Sequence, residues 1–100
     1  MKSIIQTNKK CFICRTTTNI HEHHIYYGSS KRKISEKHGF KVYLCYCHHE
    51  GTYGVHGKCG EKLNRHLKIM CQKEYEKSHT REQFLKIIGK NYINEEEKNE

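Results

Sequence analysis

A small α+β fold is what this sequence predicts, on three observations. Two β-favourable segments, Ile20 to Tyr27 and Phe40 to Leu44, lie in the first half. Two stretches with helical periodicity occupy the second half. Cysteines and histidines recur in closely spaced pairs, which can tie together a chain too polar to hold itself by apolar burial.

That polarity is pronounced. Hydrophobic residues make up 34% of the 100, Trp and Pro are absent, and the mean hydropathy is −1.00, so apolar burial alone leaves a thin core. The length suits one domain, expected over residues 1–93, with 94–100 as a disordered acidic tail. The first ten residues carry no apolar run of the kind a secretory signal needs, and no stretch can span a membrane. The expected location is therefore cytoplasmic and reducing, where cysteines at ligand spacing bind zinc more often than they pair as disulfides.

Charge points to a partner. Lys and Arg total 19 against 11 acids, all of them Glu. Beyond residue 93 lie only Lys98 among the bases and Glu95, Glu96, Glu97 and Glu100 among the acids, which leaves 18 bases against 7 acids, a net +11, on residues 1–93. A small body with that excess attracts a polyanion, most plausibly nucleic acid. The competing reading is a lysine-rich surface that serves solubility alone.

Taken in order, Ser3 to Gln6 suits a short edge strand, and Lys9 to Arg15 a tight turn that brings Cys11 and Cys14 to one side. Ile20 to Tyr27 reads as a first strand ending at Gly28. Side chains alternate along a strand, so the neighbours His23 and His24 face opposite ways and suggest two different jobs. Gly28 to Ser30 opens a basic loop through Lys31, Arg32 and Lys33, with Ser30 placed to cap a short helix that reaches about His38 and stops at Gly39. Phe40 to Leu44 alternates as a second strand, and Cys47 to Glu50 begins a helical turn. Three glycines between Gly51 and Gly57 mark a loop. Leu63, Leu67, Met70, Cys71 and Tyr75 then form one apolar helix face opposite Arg65, Lys68 and Lys73, running out near Lys77. Thr80 to Gln83 is a capping box opening a last helix, with Phe84, Leu85, Ile87 and Ile88 as its apolar side and Gly89 as its stop. His38 and His79 read as loop residues, and His66 as part of the long helix.

Cys11-x-x-Cys14 and Cys45-x-x-His48 are two half-sites of equal internal spacing. A structural zinc ion takes three thiolates and one imidazole in tetrahedral array, and each half-site offers two ligands from a short turn. Two alternatives stay open: Cys47 in place of Cys45 or His48, and Cys11 and Cys14 as small apolar core residues. Cys59 and Cys71 have no partner at ligand spacing and read as free thiols.

The His23-His24 pair followed by Leu44-Cys45-x-x-His48-His49 resembles the HNH endonucleases, over roughly residues 9 to 57. The resemblance implies a zinc-stabilised ββα-metal finger with additional C-terminal helices, of the small type carried by phages and other mobile elements, hence a host-cell cytoplasm. It implies hydrolysis of DNA phosphodiester bonds, with His24 as general base activating water. His23 and His49 would hold one catalytic divalent ion, such as Mg²⁺, to stabilise the leaving group, and Lys31, Arg32, Lys33 and Arg65 would contact DNA phosphates. Two departures stand out. Phe40 occupies the place of the family's Asn, which steadies the hairpin loop, and Tyr53 that of its usual third metal ligand, so His56 is carried as the third ligand. Two other functions compete: a zinc-stabilised nucleic-acid-binding module without catalysis, as a degenerate nuclease or a recombination or transcription accessory, and a protein-protein adaptor. No base-reading array is evident, and the oligomeric state, monomer or dimer, is open.

Overall fold

A computed structural model describes residues 2–93; the expected acidic tail lies outside them. The described residues form a two-stranded antiparallel sheet and four helices: β1 (Ile20–His24), α1 (Lys31–His38), β2 (Lys41–Cys45), α2 (Tyr46–His49), α3 (Glu61–Tyr75) and α4 (Arg81–Ile88). No helix among them is long and apolar enough to cross a membrane.

The strands pair from Ile20 opposite Cys45 to His24 opposite Lys41, and α1 lies in the connection between them. α1 ends where Gly39 takes a left-handed conformation, φ 75°, and its N–H returns to the Ser35 carbonyl. A Cβ there would meet the Lys2 carbonyl oxygen at 2.2 Å, so close approach and backbone angle both call for glycine. β2 leads straight into α2, so whatever α2 carries is held at the exit of the sheet.

The core lies between the sheet and the last two helices. Val42 and Leu44 from β2, Leu67 and Cys71 from α3, and Phe84 and Ile88 from α4 close over Ile25, Tyr26 and Phe40. The Tyr26 ring meets Phe40 and Phe84 edge-on, at 5.5 and 5.6 Å between centroids. Gln72 is fully buried and satisfied: its carbonyl oxygen accepts from the Tyr92 N–H and its amide donates to Asn91 and Glu76, tying the chain after α4 back onto α3.

Several expectations change in detail. β1 stops at His24 instead of reaching Tyr27: the Ile25 N–H still donates to the Phe40 carbonyl, but the Tyr26 N–H turns to the Ser35 hydroxyl of α1. Ser3 to Gln6 forms no strand. It runs beside β2 through the Ile4 N–H on the Gly39 carbonyl and the Gln6 side-chain oxygen accepting from the Tyr43 N–H. Ser30 stands at the N-cap of α1 without a side-chain bond. α3 ends at Tyr75, and Lys68 lies not on a solvated face but half-buried over the Tyr27 and Tyr92 rings. Leu85 faces outward while Phe84 and Ile88 pack inward. His38 is the last residue of α1, stacked on Phe40, and His79 stacks on Tyr75 at 4.0 Å. The capping box of α4 is complete, with Thr80 accepting from the Gln83 N–H and Gln83 accepting from the Thr80 N–H.

Candidate metal centres

α2 is a single turn carrying His48 and His49 side by side. Neighbours on a helix point about 100° apart, so the two rings leave α2 in different directions, and each joins a separate cluster.

The first cluster gathers Cys11, Cys14, Cys45 and His48, whose ligand atoms all lie within 4.8 Å of one another and could bind a metal ion. The turn supplying Cys11 and Cys14 is closed by the Cys11 N–H on the Thr16 carbonyl, and it allows Arg15 the left-handed φ of 66°. The Phe12 N–H donates to the Tyr43 carbonyl and pins that turn to β2. Separations are 3.7 Å between the sulfurs of Cys14 and Cys45, and 3.3 and 3.6 Å from His48 Nδ1 to those of Cys45 and Cys11. Four ligands at about 2.0–2.3 Å from a common centre in tetrahedral array stand about 3.3–3.8 Å apart, so the donor set fits a small tetrahedral ion. Burial pushes the Cys11 thiol up, yet backbone N–H groups of Cys14, Cys45 and Ile13 bring it down to about 6. At Cys14 a backbone contact from Thr16 lowers the thiol, but desolvation and the sulfurs of Cys11 and Cys45 outweigh it. Thiolates gathered this closely are stabilised by a cation that takes up their charge. Cys47 is exposed and outside the cluster, which removes it as a substitute ligand, and Cys59 is a free exposed thiol. Cys11 both packs in the core and belongs to the cluster, so the core and ligand readings hold at once.

The second cluster is formed by His23 from β1, His49 from α2 and His56 from the glycine loop, again with one nitrogen of each within 4.8 Å of the others. Ring centroids stand 4.8 to 5.3 Å apart, each ring edge-on to the next. The loop reaches back by hydrogen bonds from the Val55 and His56 N–H groups to the carbonyls of His48 and His49. Tyr53, where the resemblance places a third ligand, is 73% exposed, and His56 stands in the cluster. His23 is buried, and its Nε2 has no hydrogen-bond partner, which is the mark of a nitrogen reserved for a ligand. Burial, reinforced by His49 and His56, lowers its pKa to about 3, so its imidazole is neutral, the form that binds a metal. These three residues thus fit a divalent ion. His21, two residues before His23 on the same strand face, was not singled out by the sequence. Its Nδ1 lies 3.0 Å from His49 Nδ1, which leaves His49 Nε2 for a ligand.

His24 points the other way, as the alternation predicts. Its Nε2 lies 2.8 Å from Glu36 Oε1, and Lys41 Nζ lies 3.1 Å from both Glu36 oxygens. Hydrogen bonds from His24 and Lys41 hold the Glu36 carboxylate down to about 2. His24 nevertheless lines a cavity of about 300 Å³ together with His23, His49, His56, Glu22, Tyr27 and Arg32. Of the expected phosphate contacts, Arg32 borders this cavity, and Arg32 and Lys33 also border the groove beside it. Lys31 opens α1 next to them, while Arg65 is exposed on α3 and lines neither.

Phe40 is fully buried and cannot steady the hairpin by a side-chain bond. Ser35 does so instead: its hydroxyl accepts from the Tyr26 N–H at 3.1 Å and donates to the Tyr26 carbonyl at 2.6 Å.

No protein-family model, no curated protein and no solved structure matches this chain.

Proposed function

We propose that the protein is a metal-dependent DNA endonuclease of the HNH type, built on a ββα-metal finger and braced by a structural zinc ion. The supporting observation is the cluster of His23, His49 and His56 at a cavity that His24 and Arg32 also line. His23, His49 and His56 would hold a divalent ion, which would supply charge neutralisation at phosphate oxygens and at the leaving oxygen. His24 accepts the proton of the attacking water, the general-base role that imidazole most often fills. Arg32 engages phosphate oxygens at the cavity, and Lys31, Lys33 and Arg65 add backbone contacts that strengthen binding without reading bases. The sulfur-rich cluster takes zinc by its donor softness and, with all four positions filled by protein, stays out of the chemistry. The two bonds made by Ser35 take over the loop-steadying role of the family's Asn.

The test is nicking of supercoiled plasmid with added Mg²⁺, Mn²⁺ or Ni²⁺. Nicking is expected, and His24→Ala is expected to abolish it while leaving circular dichroism and zinc content unchanged. Folded, zinc-loaded protein that cuts under none of the three metals would sink the enzymatic reading. If that protein still retarded DNA with a steep salt dependence, a non-catalytic binding module would stand in its place.

A further inference from the structure

Register places His24 directly across from Lys41, and α1, which joins the two strands, lays Glu36 over that pair. Lys41 is almost fully buried and anchored on two sides, 3.1 Å from Glu36 and 3.3 Å from Glu22 Oε2. The Glu36 carboxylate is therefore held in place from below while its Oε1 meets His24 Nε2 at 2.8 Å. An ionised carboxylate only accepts, so the nitrogen facing it carries the proton, and in a neutral imidazole the other nitrogen, Nδ1, keeps the lone pair.

We propose that Glu36 is a positioning residue for His24, fixing its ring and its tautomer so that Nδ1 is the nitrogen that takes the proton from water. This rests on the nuclease reading above. The arrangement follows the general logic in which a base is oriented by a third group, here built from a residue of the connecting helix and steadied by a cross-strand lysine. Without the carboxylate the ring turns more freely and populates both tautomers, and only one of them presents a basic nitrogen in the bound orientation.

The experiment compares wild type, Glu36→Gln and Glu36→Ala in plasmid nicking and in ¹⁵N NMR of the histidine rings. Glu36→Ala is expected to lower kcat by about 10- to 100-fold with KM for plasmid held within about twofold, since the lost contact acts on the base and not on substrate. Glu36→Gln, which keeps the volume and an acceptor oxygen, is expected to lose less. In the wild type, His24 should show a protonated Nε2 and a bare Nδ1, and in Glu36→Ala a mixture of tautomers. This reading needs no cutting and checks that the variants are folded. Undiminished kcat in Glu36→Ala, a rise in KM alone, or a protonated Nδ1 in the wild type each overturns the positioning role and leaves the nuclease reading intact. A wild type that never nicks overturns both.

Discussion

The Ser35 hydroxyl closes the connection between the strands by serving both polar groups of one residue, accepting from Tyr26 N–H and donating to Tyr26 C=O. Both partners are buried, so removing the hydroxyl strands an N–H and a carbonyl where water cannot reach them. Ser35→Ala is expected to cost about 1–3 kcal/mol, read as a lowered urea midpoint with unchanged slope. An effect within experimental error would mean that the loop is held by packing of Tyr26 and Phe40 alone. Ser35 lay in a run of polar residues and gave no signal in the sequence. Its importance comes from Phe40 filling the core, which leaves the hairpin to be steadied by another group.

At the scale of elements, the glycine loop after α2 is a packed structure and not a slack connection. A Cβ on Gly57 would stand 1.7 Å from the Gly51 carbonyl oxygen, and one on Gly60 the same distance from that of Gly54. Glycine is required because backbone lies against backbone, and that packing holds His56 in line with His49. Gly57→Ala is expected to push the loop open and carry His56 away. Calorimetric titration with Mn²⁺ should then show loss of binding at the imidazole cluster, while zinc in the sulfur-rich cluster remains at one per chain. Retained Mn²⁺ affinity would show that His23 and His49 hold the ion without the loop. The strand β1 works in the same spirit: its alternation sends His21 and His23 toward α2, and Glu22 and His24 toward Lys41 and α1, so one strand serves two sets of partners.

At the scale of the whole molecule, the sulfur-rich cluster joins the N-terminal turn to the exit of β2, alongside the packing of Cys11 and Phe12 on the core and the Phe12 N–H bond to the Tyr43 carbonyl. Structural zinc in small modules contributes about 10–16 kcal/mol of apparent binding free energy, comparable with the entire stability of a domain, about 5–15 kcal/mol. Metal analysis after dialysis is therefore expected to find one zinc per chain. A strong chelator, or Cys11→Ser, should unfold the protein as seen by loss of cooperative thermal melting. A cooperative melt surviving in zinc-free protein would assign the stability to the aromatic core instead.

Much of this was legible in the sequence because local chemistry determines it. Paired half-sites at Cys11/Cys14 and Cys45/His48, the capping box at Thr80, the left-handed stop at Gly39 and the opposite facings of His23 and His24 each depend on residues a few positions apart, where backbone geometry is short-ranged. Tertiary structure decided what depends on neighbours distant in the chain: that His21 backs His49, that Glu36 meets His24, and that Ser35 bonds both polar groups of Tyr26 where Phe40 turned inward. A ring nitrogen or a hydroxyl carries no mark of its future partner, because hydrogen bonds and ligand contacts act over about 3 Å, and only folding brings those atoms within that range.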